Sequence, residues 1–148
     1  MIYVDTSAIV KLYIREEYSR GVSSWLRERD EAIPFTPFHE LELTNAIRLK
    51  RFRSEMTDEQ AEIVLTRVNE HERKRVLYRP QIHWADVFTL AIHLSRKHTE
   101  TIGSGSLDII HVASALSMRA DGFLTFDERQ SALAAAAGLK IEGCAGTA

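Results

Sequence analysis

The chain has 148 residues, of which 45% are hydrophobic and 27% charged, and its formal net charge at pH 7 is −2. This composition is that of an ordinary folded domain and excludes a disordered or fibrous chain. The small net charge also excludes the strong overall positive field of many nucleic-acid-binding proteins, although local basic patches have to be judged separately. We expect one domain over residues 1–142 and a short flexible tail over residues 143–148.

Cys144 is the single cysteine, so the chain offers neither an internal disulfide nor a cysteine-based metal cluster. That suits a reducing compartment. The sequence opens directly on a strand-like run, with no secretory leader pattern and no apolar stretch of membrane-spanning length. We therefore expect a cytoplasmic protein that does not associate with a membrane.

Strand-like and helix-like segments alternate through the first half of the chain. Ile2–Val4 is short and β-favouring, and apolar residues at helical spacing follow it from Ala8 to Tyr13. Pro34 cannot donate a hydrogen bond in a sheet, so a strand over 32–36 is short or has this proline at its start. One further predicted element is a helix over 18–30, and another is a helix that opens with a Thr57–Gln60 capping box and ends near 73–75. Between them we predict a helix from Pro37 to Phe52, whose apolar stripe is Phe38, Leu41, Ala46, Leu49 and Phe52.

The same alternation continues in the second half. We predict a short strand over 76–78, a helix over 85–97, a loop over 101–106 in which Ser106 caps a helix over 107–118, a strand over 123–126, a helix over 127–137 and a strand over 139–141. Alternating strands and helices are typical of an α/β fold. The predicted architecture is a three-layer α/β/α sandwich with a central, mostly parallel sheet.

Asp5 stands where the first apolar strand meets the first helix. In an open α/β sheet, ligands bind in the crevice beyond the carboxyl ends of the strands, so an acid at this junction points toward a site. A structural alternative is that Asp5, Thr6 or Ser7 only caps the helix by accepting backbone N–H bonds. One junction alone favours the cap, and the case for a site depends on further acids.

Glu42 is the second candidate acid. At 3.6 residues per turn it shares a helix face with Phe38, Ala46 and Leu49, so we expect it to face the core side of its helix. An acid on an apolar stripe needs a partner. Alternatively, Glu42 lies at the margin of the stripe with its carboxylate in water, and this helix alone leaves both interpretations open.

Asp108 and Asp127 complete the set, and each has an ordinary structural explanation. Asp108 lies in the first turn of an apolar helix, where the helix dipole favours an acid by about 0.3 to 1 kcal/mol. Asp127 follows a strand and, with Gln130 three residues later, resembles a capping box. Because the carboxyl ends of parallel strands meet at one edge of a sheet, we expect both acids near Asp5.

A cluster of such acids has an electrostatic consequence. Two like charges about 4 Å apart repel by about 4 kcal/mol at an effective dielectric near 20, so the cluster must take up protons or a cation. Carboxylates without a set of Cys or His ligands suit Mg²⁺ or Mn²⁺ rather than zinc. His39 and His111 are the nearest imidazoles, but a lone His on an apolar helix is more often a hydrogen-bonded core residue.

Phosphodiester hydrolysis is the natural chemistry of a carboxylate-held Mg²⁺ site, because the metal activates water and stabilises charge on a phosphate. Hydroxyl side chains close to the predicted ligands can hold carboxylates or water in place. The candidates are Thr6, Ser7 and Thr125.

Four segments together resemble PIN-domain ribonucleases of the VapC toxin type: Ile2–Ala8, Glu40–Ala46, Ser106–Ala113 and Leu124–Gln130. They occur in the order found in that family and span nearly the whole chain. The resemblance implies a Mg²⁺ or Mn²⁺ site, endonucleolytic cleavage of RNA, a homodimer and a small cognate VapB-type antitoxin. It also implies that Asp5, Glu42, Asp108 and Asp127 are the catalytic acids, and that Asp5, Asp108 and Asp127 hold the metal.

An RNA substrate also needs a basic surface. Arg48, Lys50 and Arg51 lie toward the end of the helix that carries Glu42, and a second cluster spans 73–75. Either cluster could contact phosphates, and either could be a solvated face. The first has the better claim because Glu42 is on the same helix.

Two other functions stay open. A Mg²⁺-dependent phosphatase could use Asp5 as a nucleophile, although such enzymes usually have a second acid two residues later, where this chain has Ser7. A PIN-like module could bind RNA or protein without cleaving, although such a module would typically lack one of the acids. A dinucleotide-binding fold is disfavoured because no G-x-G-x-x-G follows the first strand.

Overall fold

The computed structural model of the chain describes residues 1–144. These residues form two compact units, one comprising Met1–Ser7 with Gln81–Gly143 and the other comprising Ala8–Pro80 with Cys144. The strands are β1 (Ile2–Val4), β2 (Ile33–Pro34), β3 (Leu77–Tyr78), β4 (Gly122–Leu124) and β5 (Lys140–Ile141). The helices are α1 (Thr6–Tyr13), α2 (Ser19–Arg27), α3 (Pro37–Phe52), α4 (Asp58–Arg73), α5 (Trp84–Ile102), α6 (Ser106–Ser117) and α7 (Glu128–Ala136).

The first unit is built on a parallel three-stranded sheet in the order β1-β4-β5. Its register pairs Ile2 with Gly122 and Val4 with Leu124. A Cβ atom at Gly122 would lie 2.8 Å from Cδ1 of Ile2 and 3.1 Å from Cγ of Glu142, so a larger residue here would force these two side chains to shift. The register brings the carboxyl ends of β1 and β4 side by side.

The core of the first unit lies between this sheet and the helices α5, α6 and α7. The rings of Tyr3 and Phe123 stack in it with their centroids 5.4 Å apart and an interplanar angle of 8°. Val87, Val112 and Leu133 pack in the same cluster and are almost fully buried. Burial of this kind stabilises by roughly 25 cal/mol per Å² of apolar surface, so it fixes the sheet against α6.

The second unit contains the parallel pair β2 and β3, in which Ile33 lies beside Leu77. The backbone N–H groups of Ile33 and Phe35 donate to the carbonyls of Val76 and Tyr78. Pro34 lies between these donors, where an N–H would point away from β3, so its missing donor costs this pair nothing. The predicted short strand is confirmed.

α3 begins at Pro37, as predicted. α4 begins after Thr57, which forms the predicted capping box with Gln60. The predicted apolar stripe of α3 is wrong, because the buried residues are His39, Leu43 and Ile47 rather than Phe38, Leu41, Ala46, Leu49 and Phe52. Phe52 is 86% exposed. His39 belongs to the stripe because its Nδ1 accepts from the backbone N–H of Thr36 at 3.0 Å, which satisfies the ring in the interior.

Three predicted boundaries are also wrong. α5 continues to Ile102 and ends at Gly103, whose φ of 76° provides the left-handed turn, so the predicted loop is shorter than 101–106. The N-cap of α6 is Gly105 and not Ser106. The strand β4 stops at Leu124, which leaves Thr125 and Phe126 outside the ladder.

The predicted α/β class with parallel strand pairing is confirmed, and the described strands pair in two sheets. The single domain over 1–142 stays a prediction. Of the predicted tail, residues 145–148 lie outside the described residues. Within residues 1–144, no helix has the length and hydrophobicity needed to cross a membrane.

Candidate active site

Asp5 is held at the carboxyl end of β1. Its backbone N–H donates to the carbonyl of Leu124 at 3.0 Å, which extends the pairing with β4 by one residue. The side chain is buried with 3% exposure, and the Ser7 hydroxyl donates to its carboxylate, 2.9 Å from Oδ1 and 2.8 Å from Oδ2. These bonds fix the plane of the carboxylate.

Thr125 connects Asp5 with Asp127. Its hydroxyl donates to Oδ2 of Asp5 at 2.9 Å and accepts from the backbone N–H of Asp127 at 3.0 Å. Because β4 ends at Leu124, Thr125 is free of the ladder and can turn its hydroxyl toward β1. Two predicted site acids are thus joined through one predicted supporting hydroxyl.

The capping alternative for Asp127 is confirmed. Its Oδ1 accepts from the backbone N–H of Gln130 at 2.8 Å, and Asp127 is the N-cap of α7. Each carboxylate oxygen has two lone pairs, so this bond leaves further acceptor sites on Asp127. Capping fixes the orientation of the carboxylate and is compatible with a second role.

Asp108 lies in the first turn of α6, where its Oδ2 accepts from the backbone N–H of Gly105 at 3.1 Å. A Cβ atom at Gly105 would lie 3.3 Å from the same oxygen, which is tighter than most such contacts. The side chain of Asp108 is partly buried. The preceding glycine therefore gives this carboxylate room to fold back over the start of the helix.

His111 links α6 to β1 and to the residue after Asp5. Its Nδ1 lies 2.8 Å from the Tyr3 hydroxyl and its Nε2 lies 3.3 Å from the Thr6 hydroxyl. The ring is 3% exposed and both nitrogens have partners, so His111 is the hydrogen-bonded core residue that its apolar helix suggests. Asp108 is one turn earlier on α6, at a rise of about 1.5 Å per residue.

The partners of His111 were not predicted from the sequence. Tyr3 places a hydroxyl in an otherwise apolar strand, and His111 is a polar residue on an otherwise apolar helix. Each buried polar group requires a partner, so two such residues in elements predicted to pack together are the signal that could have paired them. Thr6, predicted to support the site, contacts His111.

Glu42 belongs to the second unit, on α3, and is partly buried next to the stripe of His39, Leu43 and Ile47. Glu42 thus lies at the margin of the buried stripe, as the second interpretation of its position expected. Its role as a catalytic acid stays a prediction, as do the roles of Asp5, Asp108 and Asp127.

The donors near the end of the first sheet fit Mg²⁺ or Mn²⁺ in chemical type, because they are carboxylate oxygens. Within residues 1–144, however, no group of three or more His, Cys, Asp or Glu side chains is arranged closely enough to hold a metal ion. The structure thus supplies suitable ligands without an assembled set of three.

The predicted RNA-binding residues of α3 differ in their surroundings. Lys50 forms ion pairs with Glu16 and Glu55 at 3.3 Å and 3.6 Å, and Arg51 pairs with Asp58. Arg48 is exposed. Two of the three charges are thus partly neutralised by neighbouring acids.

Residues 2–136 match the model of the PIN domain family. Because the match covers most of the chain, the protein belongs to the PIN domain family, and the resemblance is confirmed at that level. A search of curated proteins finds no match.

Two solved structures share the fold. FitAcB from Neisseria gonorrhoeae is 17% identical with a TM-score of 0.68, and the match covers 97% of this chain and 97% of that one. VapC20 from Mycobacterium tuberculosis, described as a toxin that cleaves the sarcin-ricin loop, is 17% identical with a TM-score of 0.67. That match covers 94% of this chain and 96% of VapC20. At this identity the likeness is one of fold.

Proposed function

We propose that this protein is a cytoplasmic Mg²⁺- or Mn²⁺-dependent endoribonuclease and the toxin of a toxin-antitoxin pair. Membership of the PIN domain family supports a nuclease, and a toxin of the same fold supports the narrower assignment. In this proposal Asp5, Glu42, Asp108 and Asp127 are the catalytic acids, and the three aspartates hold the metal.

The observation that carries the proposal is the hydrogen-bond chain from the Asp127 backbone through Thr125 to Asp5. The Thr125 hydroxyl donates to the Asp5 carboxylate and accepts from the backbone N–H of Asp127, so one side chain joins the ends of two neighbouring strands. In α/β proteins, ligands bind in the crevice beyond such strand ends.

In this proposal, the neighbours of Asp5, Asp108 and Asp127 hold the three carboxylates in fixed orientations. Ser7 and Thr125 hold the plane of the Asp5 carboxylate, the α7 cap holds Asp127, and Gly105 holds Asp108. Such preorganisation keeps the acceptor oxygens in place before RNA binds. A bound divalent cation supplies activated water and stabilises negative charge on the phosphate.

We also propose two partners besides RNA. One is a VapB-type antitoxin, which would inhibit cleavage, and the other is a second copy of this chain in a homodimer. Both follow from the resemblance to VapC-type toxins, and the toxin named among the similar structures supports the first.

Cleavage of total cellular RNA tests the activity. We expect discrete fragments with Mg²⁺ or Mn²⁺, none with EDTA, and none with Asp5→Asn or Asp108→Asn, because an amide cannot replace a charged metal ligand. Glu42→Gln tests the acid of the second unit in the same assay. Asp86→Asn, at a residue with a 75% exposed side chain on α5, is the matched control and should cleave like the wild type.

Retained metal-dependent cleavage in both Asp5→Asn and Asp108→Asn would contradict the assignment of the site. Metal-independent cleavage would contradict the proposed cofactor. If folded, antitoxin-free protein binds RNA and never cleaves it, the non-cleaving binding module becomes the better description.

A further inference from the structure

Two adjoining cavities of the second unit run along α1, α2 and α4. One has a volume of about 640 Å³ and the other about 440 Å³, and both are lined by Leu12, Ser23 and Arg27. They therefore form one continuous depression, which we call the basic groove. Six cations of its lining form no ion pair within residues 1–144: Arg15, Arg20, Arg27, Arg67, Lys74 and Arg75.

The smaller cavity is the more strongly charged. Its lining has five cations and, among the residues that the structure describes, no acid. The larger cavity adds Arg29, Lys74 and Arg75 and is also lined by Asp30 and Glu31. In a chain whose net charge is −2, this is a concentrated local positive field.

The six cations are available to a ligand. All are exposed, and none forms an ion pair within residues 1–144. The end of α3 differs, since Lys50 and Arg51 are paired with acids there. A phosphate at α3 would have to displace those acids, whereas the six exposed cations of the basic groove have no paired acid to displace.

The surroundings of His71 are consistent with this field. His71 lines the larger cavity, and its pKa lies below the ordinary value because of burial and then because of the positive charge of Lys74, with a smaller part from Arg67. The neighbouring Glu70 acts in the opposite direction. Positive charge thus outweighs negative charge at this point of the groove.

We propose that the phosphate backbone of single-stranded RNA binds in the basic groove. Arginine guanidinium groups donate two parallel hydrogen bonds to a phosphate, and five of the six cations are arginines. Leu12, Leu26 and Val76 contribute apolar surface to the larger cavity, so it is the charge of the lining, rather than a lack of apolar contacts, that favours RNA over a docked peptide helix. The inference rests on the proposed function and names the surface that holds its substrate.

The test is fluorescence anisotropy of a labelled single-stranded RNA in EDTA, at several salt concentrations, so that binding is measured without cleavage. The variant Arg27→Gln/Arg67→Gln/Lys74→Gln removes three groove charges. Its matched control, Arg48→Gln/Lys50→Gln/Arg51→Gln, removes three charges at the end of α3. Circular dichroism and thermal unfolding verify that both variants are folded.

We expect the groove variant to bind at least tenfold more weakly at low salt. The slope of log affinity against log salt should become shallower by about 2, because each phosphate contact on a single strand contributes about 0.7. The α3 variant should change by less than about threefold. Wild-type affinity in the folded groove variant, or a larger loss in the α3 variant, would overturn the inference.

A competing polyglutamate peptide separates RNA from an acidic protein segment. If the groove variant loses peptide binding and keeps RNA binding, the groove belongs to a protein partner and the inference fails. Failure of the proposed function would give a different result. If the wild type binds RNA through the groove but shows no metal-dependent cleavage, the proposed nuclease activity is wrong and the proposed RNA-binding surface still holds.

Discussion

The carboxylates of the first unit and the cations of the second unit are held in opposite ways. Asp5 and Asp127 receive hydrogen bonds from Ser7, Thr125 and Gln130, and these fix their orientation. Six cations of the basic groove, Arg15, Arg20, Arg27, Arg67, Lys74 and Arg75, are exposed and make no ion pairs within residues 1–144.

The difference matches what each chemistry requires. A reacting centre depends on geometry, and small displacements of its groups are costly. Backbone binding of a flexible single strand depends on charge and tolerates movement of the cations. Substitutions at the carboxylates should therefore alter cleavage without changing the salt dependence of binding. Substitutions in the groove should weaken binding and change its salt dependence, and should leave cleavage at saturating RNA unchanged.

The largest expected effect is that of Asp127→Asn. Asparagine caps a helix as well as aspartate, so the free energy of unfolding should stay within about 0.5 kcal/mol of the wild type. Cleavage should fall by about 100-fold or more because a charged ligand is lost. Urea unfolding and initial cleavage rates measure the two quantities.

Asp127→Ala is the comparison variant, and it should lose about 1 kcal/mol of stability in addition, because alanine cannot cap α7. If Asp127→Asn cleaves normally, Asp127 is a capping residue only.

A smaller effect is expected for Thr125→Val, which keeps the shape of the side chain and removes the hydroxyl between Asp5 and Asp127. Loss of an orienting hydrogen bond typically lowers activity by about 10-fold to 100-fold. Stability should fall by about 1 to 3 kcal/mol, because the N–H of Asp127 loses its partner. Thr125→Ser restores the hydroxyl and should recover both, and its failure to do so would show that the methyl group matters instead.

The strand ends were the most predictable part of the molecule. Asp5 and Asp127 could be placed because each follows a short apolar run, and residue type and spacing determine such local features. The cap of α7 and the start of α3 at Pro37 are equally local, and both are found as predicted.

Long-range pairing could not be read in the same way. The contact between Tyr3 and His111 joins residues 108 positions apart, and Lys50 of α3 pairs with Glu16 in the connection between α1 and α2. The α3 stripe was misplaced because hydrophobicity alone favours burial of Phe52 over burial of His39. The His39 ring can be buried because its Nδ1 accepts a hydrogen bond from the backbone N–H of Thr36. Basic residues likewise reveal their role only when the structure shows which acids they meet.

The smallest predicted effect is the pH dependence that His71 contributes to stability. Burial, then Lys74, lowers its pKa in the folded state, so the unfolded state binds more protons as pH falls below about 6.5. Stability should therefore be greatest above that pH and decrease on acidification through the folded pKa. Urea unfolding at a series of pH values should show a shallower decrease in the free energy of unfolding for His71→Gln than for the wild type, with exposed His93→Gln as the control.

In an NMR titration, single-stranded RNA should raise the pKa of His71, because phosphates in the groove offset the charges of Lys74 and Arg67. An unchanged pKa with RNA bound would place the phosphates elsewhere.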